Sequence, residues 1–107
     1  MMRLEPLTQH DYQRIESFIR GYEQLKLRMD AETDSERKKN MRQIVQGIRE
    51  VYNSLPLEEQ QLFRLLYWDA QRPSYDIIAA ALNVSERSVK RHRELLVERV
   101  ADAIIYI

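Results

Sequence analysis

Residues 74–96 read SYDIIAAALNVSERSVKRHRELL, and this stretch predicts two helices that are joined by a tight turn. Its apolar positions favour a short helix over Tyr75–Leu82 and a second helix that begins at Glu86. Asn83 falls where the chain must turn sharply, and asparagine tolerates a positive φ better than most residues do. The stretch therefore predicts a helix-turn-helix.

The sizes of the side chains in this stretch fit two helices that cross at a steep angle. A close crossing needs a small side chain, which Ala79 supplies, and Val89 fills the opposing position on the second helix. Ser74 and Ser85 are expected to cap the two helices, and Val84 is expected to fill the space between them. The positions that together satisfy the packing and the turn are Ile78, Ala79, Leu82, Asn83, Val84, Ser85 and Val89.

The second helix is predicted to present a reading surface to double-stranded DNA. Its N-terminal part would enter the major groove, where arginine can make two bonds to guanine and glutamate can accept one from cytosine. The predicted base contacts are Ser85, Glu86, Arg87, Lys90, Arg91 and Glu94. The predicted phosphate contacts, which position a protein on the duplex rather than specify a sequence, are Arg72, Ser74, Tyr75 and Arg93.

The remainder of the chain predicts further helices and no strand. Apolar residues recur at steps of three and four in two runs, which the polar stretch Asp30–Ser35 separates, and Pro56 ends the second run. The expected helices before the quoted stretch are Thr8–Met29, Glu36–Leu55 and Leu57–Trp68. We therefore predict an all-α fold: an antiparallel helical pair (residues 1–55), then a three-helix, helix-turn-helix DNA-binding region (residues 56–107).

The charges of the chain are unevenly distributed although their sum is zero. Residues 35–55 carry five bases and two acids, which gives +3, whereas residues 56–84 carry two bases and four acids, which gives −2. Within residues 85–93 the bases are Arg87, Lys90, Arg91 and Arg93, and the one acid is Glu86. A local basic patch on a neutral protein suits a DNA reader with weak non-specific attraction.

Nothing in the sequence indicates catalysis. There is no cysteine, no glycine-rich phosphate loop and no metal-ligand spacing, and the two histidines, His10 and His92, lie far apart in the chain. The aromatic residues recur at helical steps, which favours core packing over base stacking. We therefore expect neither an enzyme nor a cofactor.

The sequence predicts a cytoplasmic protein that does not enter a membrane. No apolar run of signal-peptide length follows Met1, and the densest apolar stretch, Ala101–Ile107, is too short to cross a bilayer. The apolar tail Ala103–Ile107 either folds back over the first helices or forms part of a homodimer contact. A dimer would double the contact of a recognition helix that reads only a few base pairs.

A resemblance to known regulators lies in residues 55–96, which read LPLEEQQLFRLLYWDAQRPSYDIIAAALNVSERSVKRHRELL. This stretch resembles region four of bacterial sigma factors and, more closely, phage-encoded transcriptional regulators of the RinA and ArpU type. The resemblance extends from Leu55 to about Ile105. It implies a sigma region four-like fold and a regulator of phage late genes that binds promoter DNA, with RNA polymerase as a further partner.

Two other functions remain open from the sequence. The chain could be a small DNA-packaging subunit that marks the ends of a phage genome, in which case sedimentation should show a ring of eight or more subunits. Alternatively, it could be an adaptor whose helix-turn-helix docks on RNA polymerase and touches no DNA. An adaptor would bind purified polymerase and shift no promoter fragment, even at low salt.

Overall fold

A computed structural model describes residues 5–105 of the chain, and this part contains only helices, turns and loops. The all-α prediction is confirmed. The α-helices are α1 (Gln9–Arg20), α2 (Tyr22–Ala31), α3 (Ser35–Ser54), α4 (Leu57–Phe63), α5 (Tyr75–Leu82) and α6 (Glu86–Ala103), and a π-helical segment (Arg64–Trp68) continues α4. Within the described residues, no helix combines the length and the apolar character that crossing a membrane requires.

The first predicted helix is two helices, because the chain breaks at Gly21. Helix α1 begins with a capping box in which the Thr8 hydroxyl accepts from the Asp11 amide and the Asp11 carboxylate accepts from the Thr8 amide. Gly21 leaves the helical region at φ −88° and ψ 15°, and α2 starts at the next residue. Glycine has low helix propensity, and the break lets α1 pack against α6 while α2 packs against α3.

Helices α2 and α3 form a hairpin across a short polar turn. The turn covers residues 32–34, and the Asp34 side chain caps α3 by accepting a hydrogen bond from the Arg37 amide. Three connecting residues return α3 alongside α2, as expected for an antiparallel pair. The buried face of α3 includes Val45, Ile48 and Val51.

The third predicted helix runs from Leu57 to Trp68 as expected, but its last five residues are π-helical. The wider π-helical turn brings two polar atoms to partners on α1: the Tyr67 hydroxyl bonds Glu16, and the Trp68 indole nitrogen bonds the Ile19 carbonyl at 2.8 Å. Phe63 packs edge-to-face against both of these aromatic rings. Phe63 and Tyr67 thus belong to the core and Trp68 packs against it, as their spacing predicted.

One apolar core joins the two segments that the sequence divided at residue 55. It contains Ile15, Ile19, Tyr22, Val45, Ile48, Val51, Leu55, Leu62, Phe63, Tyr67, Ile78, Ala79, Val89, Leu96, Val97, Val100, Ala101 and Ile104. Helix α3 and the end of α6 approach each other closely at Gly47, where an added Cβ would lie 2.6 Å from Ile104 Cγ2. Ile104 of the predicted apolar tail therefore folds back over α3, whereas Tyr106 and Ile107 lie outside the described residues.

Helix α5 has the predicted bounds, α6 begins at Glu86 as predicted, and the two helices pack against each other. Asn83 adopts the left-handed conformation at φ 56° and ψ 47°, which confirms its place at the turn. The Val84 amide bonds the Ala79 carbonyl at 3.0 Å and the Asn83 amide bonds the Ala80 carbonyl, so the end of α5 is closed by a Schellman motif. The expectation that Val84 fills the space between the helices is wrong, because its side chain is 44% exposed.

Candidate nucleic-acid interface

The first turns of α6 are held in place by a cap and a buried face. The Ser85 hydroxyl accepts a hydrogen bond from the Ser88 amide at 3.0 Å, which satisfies one of the free amides at the helix start. On the inner face Val89 and Leu96 are buried in the core. This part of α6 is thus a rigid support for the side chains on its outer face.

All six predicted base-contact residues are exposed to solvent. They are Ser85, Glu86, Arg87, Lys90, Arg91 and Glu94. We call this set the reading surface. Within residues 5–105, neither Arg87 nor Arg91 has a hydrogen bond or an ion pair to another side chain, whereas the Lys90 ammonium lies 5.8 Å from the centre of the Tyr75 ring. The two guanidinium groups are therefore available to a ligand.

Two of the predicted phosphate contacts lie in the connection that leads into α5. Arg72 is exposed and adopts a positive φ of 47°, in a turn where its amide bonds the Asp69 carbonyl at 3.1 Å. Ser74 occupies the cap position, but its hydroxyl donates to the Asp76 carboxylate instead of capping the helix. This hydrogen bond lowers the pKa of Asp76, so a negative charge remains at the start of α5.

The other two predicted phosphate contacts, Tyr75 and Arg93, are both half-buried. Arg93 makes two hydrogen bonds to Glu16 of α1, from Nε to Oε2 at 2.8 Å and from Nη2 to Oε1 at 2.6 Å. The Tyr67 hydroxyl donates to the same Oε2 at 2.7 Å. Arg93 therefore joins α6 to α1, a role that the sequence prediction did not include.

Glu16 is the acid on which this network depends, and the sequence prediction missed it. Glu16 is only 5% exposed, and it is the one buried charged residue among residues 5–105. A signal was present, because position 16 follows Tyr12 by four and precedes Ile19 by three and so falls on the apolar face of α1. An acid on an apolar face requires a partner, which Arg93 supplies.

The network shifts the pKa values of Glu16, Tyr67 and Arg93. Burial raises the pKa of Glu16, but the hydrogen bonds from Arg93 and Tyr67 and the nearby positive charges outweigh it, so the pKa is lowered. Burial and the adjacent carboxylate raise the pKa of the Tyr67 hydroxyl well above its ordinary range. The hydrogen bonds to Glu16 raise the pKa of Arg93 further. Glu16 is therefore ionised and Tyr67 protonated near neutral pH.

The lowered pKa of Glu16 predicts a specific loss of stability in acid. The stability that the ionised Glu16 carboxylate contributes is fully present above its unfolded-state pKa, whose ordinary value is 4.5. This stability is lost as the pH falls through the lower folded-state pKa. Glu16→Gln cannot show this loss, so the difference in free energy of unfolding between wild type and Glu16→Gln should shrink between about pH 7 and about pH 3. Urea unfolding across this range measures it, and a constant difference would refute the prediction.

Comparison with known proteins gave one family. The family model described as "Protein of unknown function (DUF722)" matches residues 5–102, which cover both the helical hairpin and the reading surface. No curated protein matches the chain, and no solved structure does.

Proposed function

The chain belongs to the family described as "Protein of unknown function (DUF722)", and we propose that it is a sequence-specific regulator of transcription that binds double-stranded DNA. The observation that carries this proposal is the reading surface. It places the unpaired Arg87 and Arg91 together with Lys90 on the exposed side of a capped helix, within its first two turns. A recognition helix enters the major groove with this part.

The local geometry of α5 and α6 supports a helix-turn-helix interpretation. Asn83 adopts the left-handed conformation and turns the chain between the two helices. Ala79 of α5 and Val89 of α6 are both buried, and the two helices are distinct and pack against each other. The interpretation required an exposed cationic surface and two distinct helices, and both are present. The proposed base contacts remain those of the reading surface. The proposed phosphate contacts depend on Arg72 and Tyr75 more than on Arg93, which is bound to Glu16, or on Ser74, whose hydroxyl is bound to the ionised Asp76.

The resemblance of residues 55–96 to sigma region four and to regulators of the RinA and ArpU type supports a narrower form of the proposal. In that form the protein activates phage late genes at a promoter, beside RNA polymerase, in the cytoplasm. Two copies on adjacent half-sites would supply the affinity that one helix lacks. If two copies bind side by side, two half-sites about one helical turn apart on the DNA should be protected by the protein.

Loss of either arginine should weaken and broaden DNA recognition. Arg87→Ala and Arg91→Ala should each cost roughly 1–3 kcal/mol on the preferred site, because each removes a two-bond contact to a base edge. Fragments selected from phage or host DNA by binding would define that site. Gel shifts on the selected site and on a scrambled one then measure affinity and preference.

Arg28→Ala is the matched control, since Arg28 is an exposed arginine on α2, outside the reading surface. It should bind as wild type does, and binding by wild type should weaken as salt rises. Unchanged affinity and selectivity in both Arg87→Ala and Arg91→Ala would remove these residues from the interface. Sedimentation as a ring of eight or more subunits would instead favour DNA packaging, and binding to polymerase without any DNA shift would favour an adaptor.

A further inference from the structure

A second surface lies beside the reading surface, in a groove between α4 and α6. Two adjoining depressions share Glu59, Leu62 and His92, and together they run from the end of α5 along α6 to Asp102. We call this the α4–α6 groove and define it by Glu58, Glu59, Leu62, Val84, His92 and Leu95. Apolar side chains remain open to solvent in it: Val84 is 44% exposed and Leu95 is 52% exposed.

The groove lies along a third face of α6, distinct from the reading surface and bordered by the core residues Val89 and Leu96. At 100° per residue, the side chains of α6 divide into three faces about a third of a turn apart. The core face holds Val89, Leu96 and Val100; the reading face holds Arg87, Lys90, Arg91 and Glu94; and the groove face holds Ser88, His92, Leu95 and Arg99. A partner in the groove could therefore bind while the reading surface is occupied.

The charges that line the groove exclude DNA as its ligand. Both depressions together are lined by four acidic residues, Glu58, Glu59, Glu98 and Asp102, against one arginine, Arg99, and the Glu98 carboxylate accepts a hydrogen bond from the Tyr12 hydroxyl of α1 at 3.2 Å. Within residues 5–105, Glu58 and Glu59 form no ion pair, and the Arg99 guanidinium donates to the Ser54 hydroxyl at 2.9 Å. A phosphate backbone would be repelled here, whereas lysine or arginine side chains would be attracted.

We propose that the α4–α6 groove binds an amphipathic helix of another protein, one that carries apolar side chains flanked by lysine or arginine. The exposed Leu95 and Val84, with the buried Leu62, offer apolar contacts for the anchors of a partner helix, and the acidic rim selects the flanking charges. The stretch of α6 from Ser88 to Asp102 is about 21 Å long, which matches about four turns of a partner helix. The inference does not require that the reading surface bind DNA.

A pair of synthetic peptides tests this on the full chain. Each is a helix of about four turns with leucines on one face; one carries lysines beside the leucines and the other carries glutamates at the same positions. Titration monitored by amide chemical shifts should show changes at Leu62, Val84 and Leu95 with the lysine peptide. Its Kd should be lower than that of the glutamate peptide by on the order of tenfold.

Two variants and a DNA competitor distinguish the proposed partner helix from DNA and from a second copy of the chain as the ligand of the groove. Leu95→Glu should weaken the lysine peptide by on the order of tenfold, while Leu27→Glu, at a 70% exposed leucine of α2, should leave its Kd unchanged. Circular dichroism establishes that both variants fold. Equal binding of the two peptides, or shifts that map outside the groove, overturns the proposal. Displacement of the peptide by duplex DNA, or a change of oligomeric state in Leu95→Glu alone, overturns it in favour of DNA or of a second copy.

Discussion

Arg93→Ala should lower the free energy of unfolding by about 3 kcal/mol at neutral pH, because it leaves the carboxylate of Glu16 buried without its partner. Glu16 would retain the hydrogen bond from Tyr67 and the nearby charge of Arg20, neither of which replaces the two hydrogen bonds and the charge of Arg93. Removing one member of a buried ion pair costs far more than the pair itself contributes, since the remaining charge has lost its water. Urea or thermal unfolding measures the loss.

Arg91→Ala is the control for this prediction, because Arg91 lies two residues away on the same helix and is exposed. Its stability should stay within about 0.5 kcal/mol of wild type. The two variants also separate structure from function, since Arg91→Ala should impair DNA binding without loss of stability. Equal unfolding midpoints for Arg93→Ala and Arg91→Ala would show that the Glu16–Arg93 pair does not stabilise the fold.

Gly47→Ala should destabilise the protein by roughly 1–3 kcal/mol, although alanine is the better helix former. The added Cβ would lie 2.6 Å from Ile104 Cγ2 and 3.0 Å from backbone atoms of Ala103 and Ile104. Helices α3 and α6 would have to move apart, because a β-branched side chain and a helix backbone cannot yield as a flexible side chain can. The unfolding free energy of the variant checks this.

Gly21→Ala is the matched glycine substitution. The nearest atom to an added Cβ is the Ser17 carbonyl oxygen at 3.3 Å, and the backbone at Gly21 has a negative φ that alanine adopts readily. We expect its stability to lie within about 1 kcal/mol of wild type, since helix propensity and mild crowding oppose each other. A larger loss in Gly21→Ala than in Gly47→Ala would contradict the close approach of α3 and α6.

The two contacts that these predictions test hold α6 near its middle and just beyond its C-terminal end. Near the reading surface, Arg93 ties α6 to α1, and near its C-terminus the side chain of Ile104 packs beside Gly47 of α3. The first 55 residues thus stabilise the helix that carries the proposed DNA contacts. The division of the chain at residue 55 stays a prediction, which circular dichroism of a fragment of residues 1–55 would test.

The sequence by itself determined the features that depend on local chemistry. Helix α5 spans the residues that the sequence predicted and α6 begins where it was predicted to begin, because the left-handed Asn83 and the capping Ser85 act on adjacent backbone groups. The capping box at Thr8 is local in the same sense. The exposure of Arg87 and Arg91 follows from the position of Val89 on the buried side of one helix.

Only the tertiary structure decided which distant groups meet. Three features depend on the packing of distant elements: the break at Gly21, the π-helical turn that directs Tyr67 toward Glu16, and the pairing of Glu16 with Arg93. Both Tyr67 and Arg93 lie 50 or more residues from Glu16 in the chain. Periodicity identifies a buried face but does not name the side chain opposite it. For that reason Arg93 was predicted as a phosphate contact, although it is bound to the buried Glu16. Likewise Val84 was predicted to fill the space between α5 and α6, although it is exposed to solvent.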